Sequence, residues 1–269
     1  MKIETGDVAV ITGGASGIGL GLARAVIARG GRVVISDVRA EAAERTAAEL
    51  RDAGAEAIAI AADVADSDSV CNLAERALEA FGTVHLVCNN AGLVSPAAPM
   101  WEQTPATWDR MISVKIGGVI NGVRAFAPIL IAQGRGHILN TASSGGLAPL
   151  PLRTPYTGSM HAVVGLTETL DLELKTVNEL LGATVLCPGL VDTPLGQNSA
   201  SLGAIQLPAG MSGNIASLGA GALSPLEVAE AALDAIAAGL VHVAPGTGVL
   251  DRARARVQGL ISDLEAAGE

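Results

Sequence analysis

The chain has 269 residues, 49% of them hydrophobic but only 2% aromatic, so a core has to be built from Ala, Val, Leu and Ile. Its formal net charge is −10 and it has no Lys/Arg cluster, which speaks against nucleic acid or an acidic membrane surface as partner. Cys71, Cys88 and Cys187 are far apart and match no metal spacing, so they read as free thiols of a reducing compartment.

In chain order, residues 7–12 form a short apolar run of the buried parallel-strand kind, followed by Gly13-Gly14-Ala15-Ser16-Gly17-Ile18-Gly19 and an Ala/Leu-rich helix to about residue 28. The N-terminus shows no charged segment with an apolar signal core, so a cytoplasmic location is the default expectation. Residues 32–36 form a second strand closed by Asp37. The alternation continues with a helix over 40–53, a strand over 57–61, a helix over 67–81 and a strand over 84–89. Thr104 and Pro105 open a long helix to about 133, as N-cap and first helical residue. No apolar run is expected to reach the ~20 residues that span a bilayer.

Residues 136–139 form another buried strand, and Asn140-Thr141-Ala142-Ser143-Ser144 lies at its end. A helix starts at Pro155 and runs to about 179, which places Tyr156 in its first turn. A strand over 183–187 follows. Residues 193–224 carry almost no charge and read as a lid or a structureless loop. Ser224-Pro225-Leu226-Glu227 then caps a helix to about 238, and 241–244 reads as the last strand. From Leu250 the chain reads as an amphipathic surface helix or tail. Repeated strand–helix units without a linker predict a single α/β domain over 1–269, a Rossmann-like doubly wound parallel sheet.

The glycine-rich turn between the first strand and first helix suits a pyrophosphate, because glycine lets the backbone approach and the helix start offers free N–H groups. An acidic side chain at Asp37 can hold two ribose hydroxyls and would repel a 2′-phosphate, so NAD is favoured over NADP. Arg39 is a weaker candidate as a phosphate partner.

These motifs together resemble the short-chain dehydrogenase/reductase family over nearly the whole chain. Gly13, Ser16, Gly17, Ile18 and Gly19 match its glycine motif, Asp63 and Val64 its adenine-contacting pair, and Asn89-Asn90-Ala91-Gly92 its cofactor-proximal motif. Pro188, Gly189, Val191 and Thr193 match the segment that meets the nicotinamide amide. The resemblance implies four catalytic positions: an Asn in the long helix, a Ser, a Tyr, and a Lys four residues after the Tyr. Ser143 and Tyr156 lie at the family's usual separation of 13 residues, with Ser143 orienting the substrate oxygen and Tyr156 exchanging its proton. Ser144 is the competing hydroxyl, and for either serine a turn former after a strand is the plainer role.

Two positions depart from the pattern. Met160 stands at the Lys position and Lys115 at the Asn position. A tyrosine has a pKa of about 10, and a nearby ammonium typically lowers such an acid by about 1–3 units. A thioether carries neither charge nor N–H, so Met160 cannot do this. Three readings stand open. Lys115 supplies the ammonium; or the site works without one, mainly as a reductase; or the protein binds NAD without redox chemistry. His161 points about 100° from Met160 and reads as a packing or interface residue. His85, His137 and His242 show no ligand pattern, and no metal site is suggested.

Leu93, Leu147, Leu150 and Leu152, with the apolar lid, favour a small apolar alcohol or carbonyl as substrate. The family resemblance implies a homo-oligomer, a tetramer or dimer, assembled through the long helix and the Pro155 helix.

Overall fold

The computed structural model describes residues 1–207, 213 and 221–268. Seven parallel strands form one sheet in the order β3-β2-β1-β4-β5-β6-β7. They are β1 (Val8–Thr12), β2 (Arg32–Asp37), β3 (Ala57–Ala61), β4 (Leu86–Asn89), β5 (Gly136–Thr141), β6 (Leu181–Leu186) and β7 (His242–Val243). Sequential crossovers run outward from β1 in both directions, so the strand order reverses between β1 and β4. In such sheets the crevice beyond the strands' carboxyl ends at that reversal is where ligands bind.

Helices cover both faces: α1 (Gly17–Ala28), α2 (Ala40–Asp52) and α8 (Pro225–Ala237) on one, α3 (Ser67–Phe81), α5 (Gly118–Gln133) and α6 (Thr154–Val177) on the other. The alternation of β1 divides the core. Ala9 and Ile11 pack with Leu22, Val26, Ala47 and Leu233, while Val8 and Val10 pack with Leu73, Phe126, Leu130 and Leu174. Both layers are almost entirely small aliphatic, as the composition requires. The Ser224 capping box forms as expected, its hydroxyl accepting from the Glu227 N–H at 3.2 Å and Glu227 accepting from the Ser224 N–H at 2.8 Å.

Three expectations need correction. The long helix is broken: α4 (Pro105–Met111) and α5 are joined by a π-helical turn over Ile112–Gly117, whose wider winding turns the buried Lys115 toward the sheet. The combined stretch Pro105–Gln133 is long and apolar enough by composition to cross a membrane. Val119, Phe126 and Leu130 instead bury its apolar face against the core. Third, the segment 193–224 is not structureless throughout, since α7 (Leu195–Ser201) occupies its start. Of that expected lid, 208–212 and 214–220 lie outside the described residues. The tail from Leu250 belongs to a helix, α9 (Val249–Ala266).

Candidate active site

A cleft of about 700 Å³ opens at the carboxyl ends of the strands. One wall begins where β1 ends. The Thr12 hydroxyl donates to the Cys88 carbonyl (3.2 Å) and accepts from the backbone N–H groups of Asn90 (3.0 Å) and Ala91 (3.1 Å). The Asn90 amide returns the contact to the Thr12 carbonyl at 3.0 Å, so the turns after β1 and β4 are pinned together. Gly13 and Gly17 have φ of +62° and +52°, a conformation that suits glycine. No side chain caps the N-terminus of α1, so its first N–H groups remain available to an anion beside the cleft.

Asp37 closes β2 and is buried. Arg39 holds both of its oxygens, Nε on Oδ1 at 3.0 Å and an Nη on Oδ2 at 3.2 Å. The same guanidinium donates to the Asn198 side-chain Oδ1 at 2.8 Å, and the Asn198 Nδ2 donates to the Ser16 hydroxyl at 3.0 Å. A polar chain thus ties α7 across the cleft to the glycine-rich turn. Neither Asn198 nor its tether was legible in the sequence, where the uncharged segment read as apolar packing.

The other end holds the hydroxyl pair. Ser143 follows β5, and its Oγ accepts from the Gly145 N–H at 3.2 Å. Tyr156 sits in the first turn of α6, partly exposed to the cleft. Burial raises the phenol's pKa above its ordinary value, offset in part by the Ser143 hydroxyl and by the charge of Arg153. Ser143 is near enough to act on the phenol, although the two hydroxyls do not form a close hydrogen bond.

Lys115 lines the same cleft as Ser143 and Tyr156. Its side chain is 5% exposed, and its Nζ donates a long bond to the Thr141 carbonyl at 3.4 Å. A Cβ on Gly92 would overlap that Nζ, so the ammonium lies directly under the Asn90-Ala91-Gly92 turn. Burial lowers its pKa to about 8. Thr141 Oγ1, also buried at the cleft, has no partner among the described residues. Met160 does not line the cleft. It is fully buried, packed with Val119, Val163, Val185 and Cys187 and against the Tyr156 ring.

All the predicted cofactor residues line the cleft except Gly19, which packs under the turn where a Cβ would overlap the Gly13 carbonyl. Gly13, Ser16, Gly17, Ile18, Asp37, Asp63, Val64, Asn90, Ala91, Gly92, Pro188, Gly189, Val191 and Thr193 all face it. The apolar lining is partly other than expected. Leu93 contributes, joined by Val114, Leu195 and Leu202. Leu147 instead packs against the Met160 cluster, and Leu152 sits half exposed at φ +65° in the Pro-rich connector. Arg110, which the sequence does not single out, faces the cleft and donates to the Leu202 carbonyl at 2.5 Å.

The chain belongs to the short-chain dehydrogenase family, whose model matches residues 7–202, and it is an oxidoreductase enzyme of that family. It is 37% identical over 199 residues to a 1-deoxy-11-beta-hydroxypentalenate dehydrogenase of Streptomyces exfoliatus, covering 73% of this chain and 71% of the relative. A cis-4-hydroxycyclohexanecarboxylate dehydrogenase of Sinomonas cyclohexanicum is 38% identical over 188 residues, covering 70% and 74%. Among solved structures, a short-chain dehydrogenase/reductase from Burkholderia phymatum in complex with NAD superposes with a TM-score of 0.89 at 35% identity, over 98% of this chain and 97% of that one.

Proposed function

We propose that this oxidoreductase transfers hydride between NAD(H) and an apolar secondary alcohol or its ketone, with Lys115 in the electrostatic role that Met160 cannot fill. The observation that carries this reading is the buried ammonium in one cleft with the Ser143–Tyr156 pair. NAD, when bound, takes up or delivers the hydride. The uncapped start of α1 and the glycine turn suit its pyrophosphate, Asp37 its ribose, and Asp63 with Val64 its adenine. Pro188, Gly189, Val191 and Thr193 would meet the nicotinamide end. NAD in the Burkholderia relative supports this choice of dinucleotide.

In the reductive direction Ser143 orients the carbonyl oxygen and the neutral Tyr156 phenol donates its proton to it. The raised pKa of Tyr156 favours that direction at neutral pH, because alcohol oxidation needs phenolate. Lys115 is charged below about pH 8 and stabilises the phenolate left after proton donation. Leu93, Val114, Leu195 and Leu202 supply an apolar wall suited to a ring or alkyl body.

The test is the pH dependence of ketone reduction on cyclohexanones, with and without a carboxylate, beside NADH binding followed by fluorescence. Deprotonation of Lys115 removes the charge as pH rises, so wild-type reduction should fall through about pH 8. Lys115→Met should lose at least about tenfold in kcat and lose that limb, while still binding NADH. An unchanged kcat and profile in Lys115→Met would remove lysine from the mechanism. NADH binding without turnover of any ketone or alcohol would support the non-redox reading instead.

A further inference from the structure

Among the described residues, α9 is the α-helix with the smallest buried share. Only Val249 in it is buried, and every residue from 254 to 268 is exposed. Leu250, Val257, Leu260, Ile261 and Leu264 each keep between 46% and 59% of their surface in solvent. Isolated helices of this length are marginal in water, and Gly259 in the middle weakens this one further. The helix therefore needs something to lie against.

Its sequence says what. Leu250, Val257 and Leu264 recur every seven residues, and Ala253, Leu260 and Ala267 follow each by three, which is the a/d pattern of a two-helix seam. The charges are unevenly placed along the axis: Arg252, Arg254 and Arg256 lie in the first half beside a single acid, Asp251, while Asp263 and Glu265 lie in the second. In a parallel pair, Arg256 would face Ile261 and Asp263 would face Gly268, so no opposite charges meet. In an antiparallel pair the a and d layers align as Val257 on Leu260 and Leu250 on Ala267. Arg256 then flanks the second copy's Asp263, and the contact repeats across the two-fold axis.

We infer that α9 pairs antiparallel with α9 of a second copy of this chain, forming a two-fold contact centred on Val257 and Leu260. The surface is distinct from the α5/α6 face expected for family-type assembly, where Ile120, Ile131, Leu166 and Leu172 are exposed. It lies outside the catalytic cleft, so the assembly can be probed without touching the chemistry.

Sedimentation of the full chain across a dilution series provides the test, with circular dichroism to confirm folding. Leu260→Asp, at an exposed position, should halve the particle mass or raise the dissociation constant roughly tenfold or more. Arg256→Asp and Asp263→Arg should each weaken assembly, and the two together should restore it. An unchanged mass in Leu260→Asp overturns the inference, as does a charge-swapped double variant no tighter than the single ones. Flotation of the wild-type chain with phosphatidylserine vesicles would show that the stripe meets a lipid surface and would equally overturn it.

Discussion

Lys115 is the residue on which the proposed chemistry and the fold's stability pull apart. Its pKa lies at about 8 in the folded chain, against an ordinary lysine value of 10.5. Below pH 8 it is protonated in both states, so the cost of burying the ammonium is felt in full. That cost is relieved between pH 8 and 10.5, where the unfolded chain holds more protons, so this group's contribution to stability rises with pH across that window. Lys115→Met should therefore be more stable than wild type at pH 7 by about 3 kcal/mol, and the difference should shrink toward pH 10. Urea titrations of both proteins at the two pH values check this. The pairing of departures at 115 and 160 is legible in the sequence, as is the Ser143–Tyr156 spacing. The burial of Lys115 is not, because it depends on a π-helical turn that apolar periodicity reads as ordinary helix.

Among the elements, the strands are the most legible, since buried parallel strands announce themselves as short apolar runs between glycine-rich turns. Residues 57–61 and 67–81 match their elements as read, whereas β6 begins two residues before the expected 183. Helix–helix contacts leave fainter traces. Gly21 of α1 shows the point: a Cβ there would overlap the Pro225 carbonyl at the start of α8, so these two helices touch backbone to backbone. Nothing in the sequence distinguishes this glycine from its neighbours in a helix that already contains Gly17 and Gly19. Gly21→Ala has a higher helix propensity, by about 1 kcal/mol, yet has to push a backbone carbonyl aside. Overpacking of this kind typically costs about 1–3 kcal/mol, so a net loss of stability is expected, read as a lower thermal midpoint.

For the whole molecule, the sheet's strand reversal brings the glycine-rich turn and the hydroxyl pair to opposite ends of one cleft, and α7 spans it. That placement rests on long-range contacts such as Asn198 to Arg39, which no local pattern encodes. The tether also has a kinetic meaning. Ribose hydroxyls at Asp37 would compete with Arg39, which shares the hold on Asn198 with the Ser16 hydroxyl. Loading the dinucleotide would loosen one of the two bonds that tether α7, which predicts an order of addition: dinucleotide first, substrate second. Product-inhibition patterns should be those of a compulsory order in the wild type and drift toward random order in Asn198→Ala. A side chain far from the reacting atoms would then govern not how fast the enzyme turns over, but which molecule it meets first.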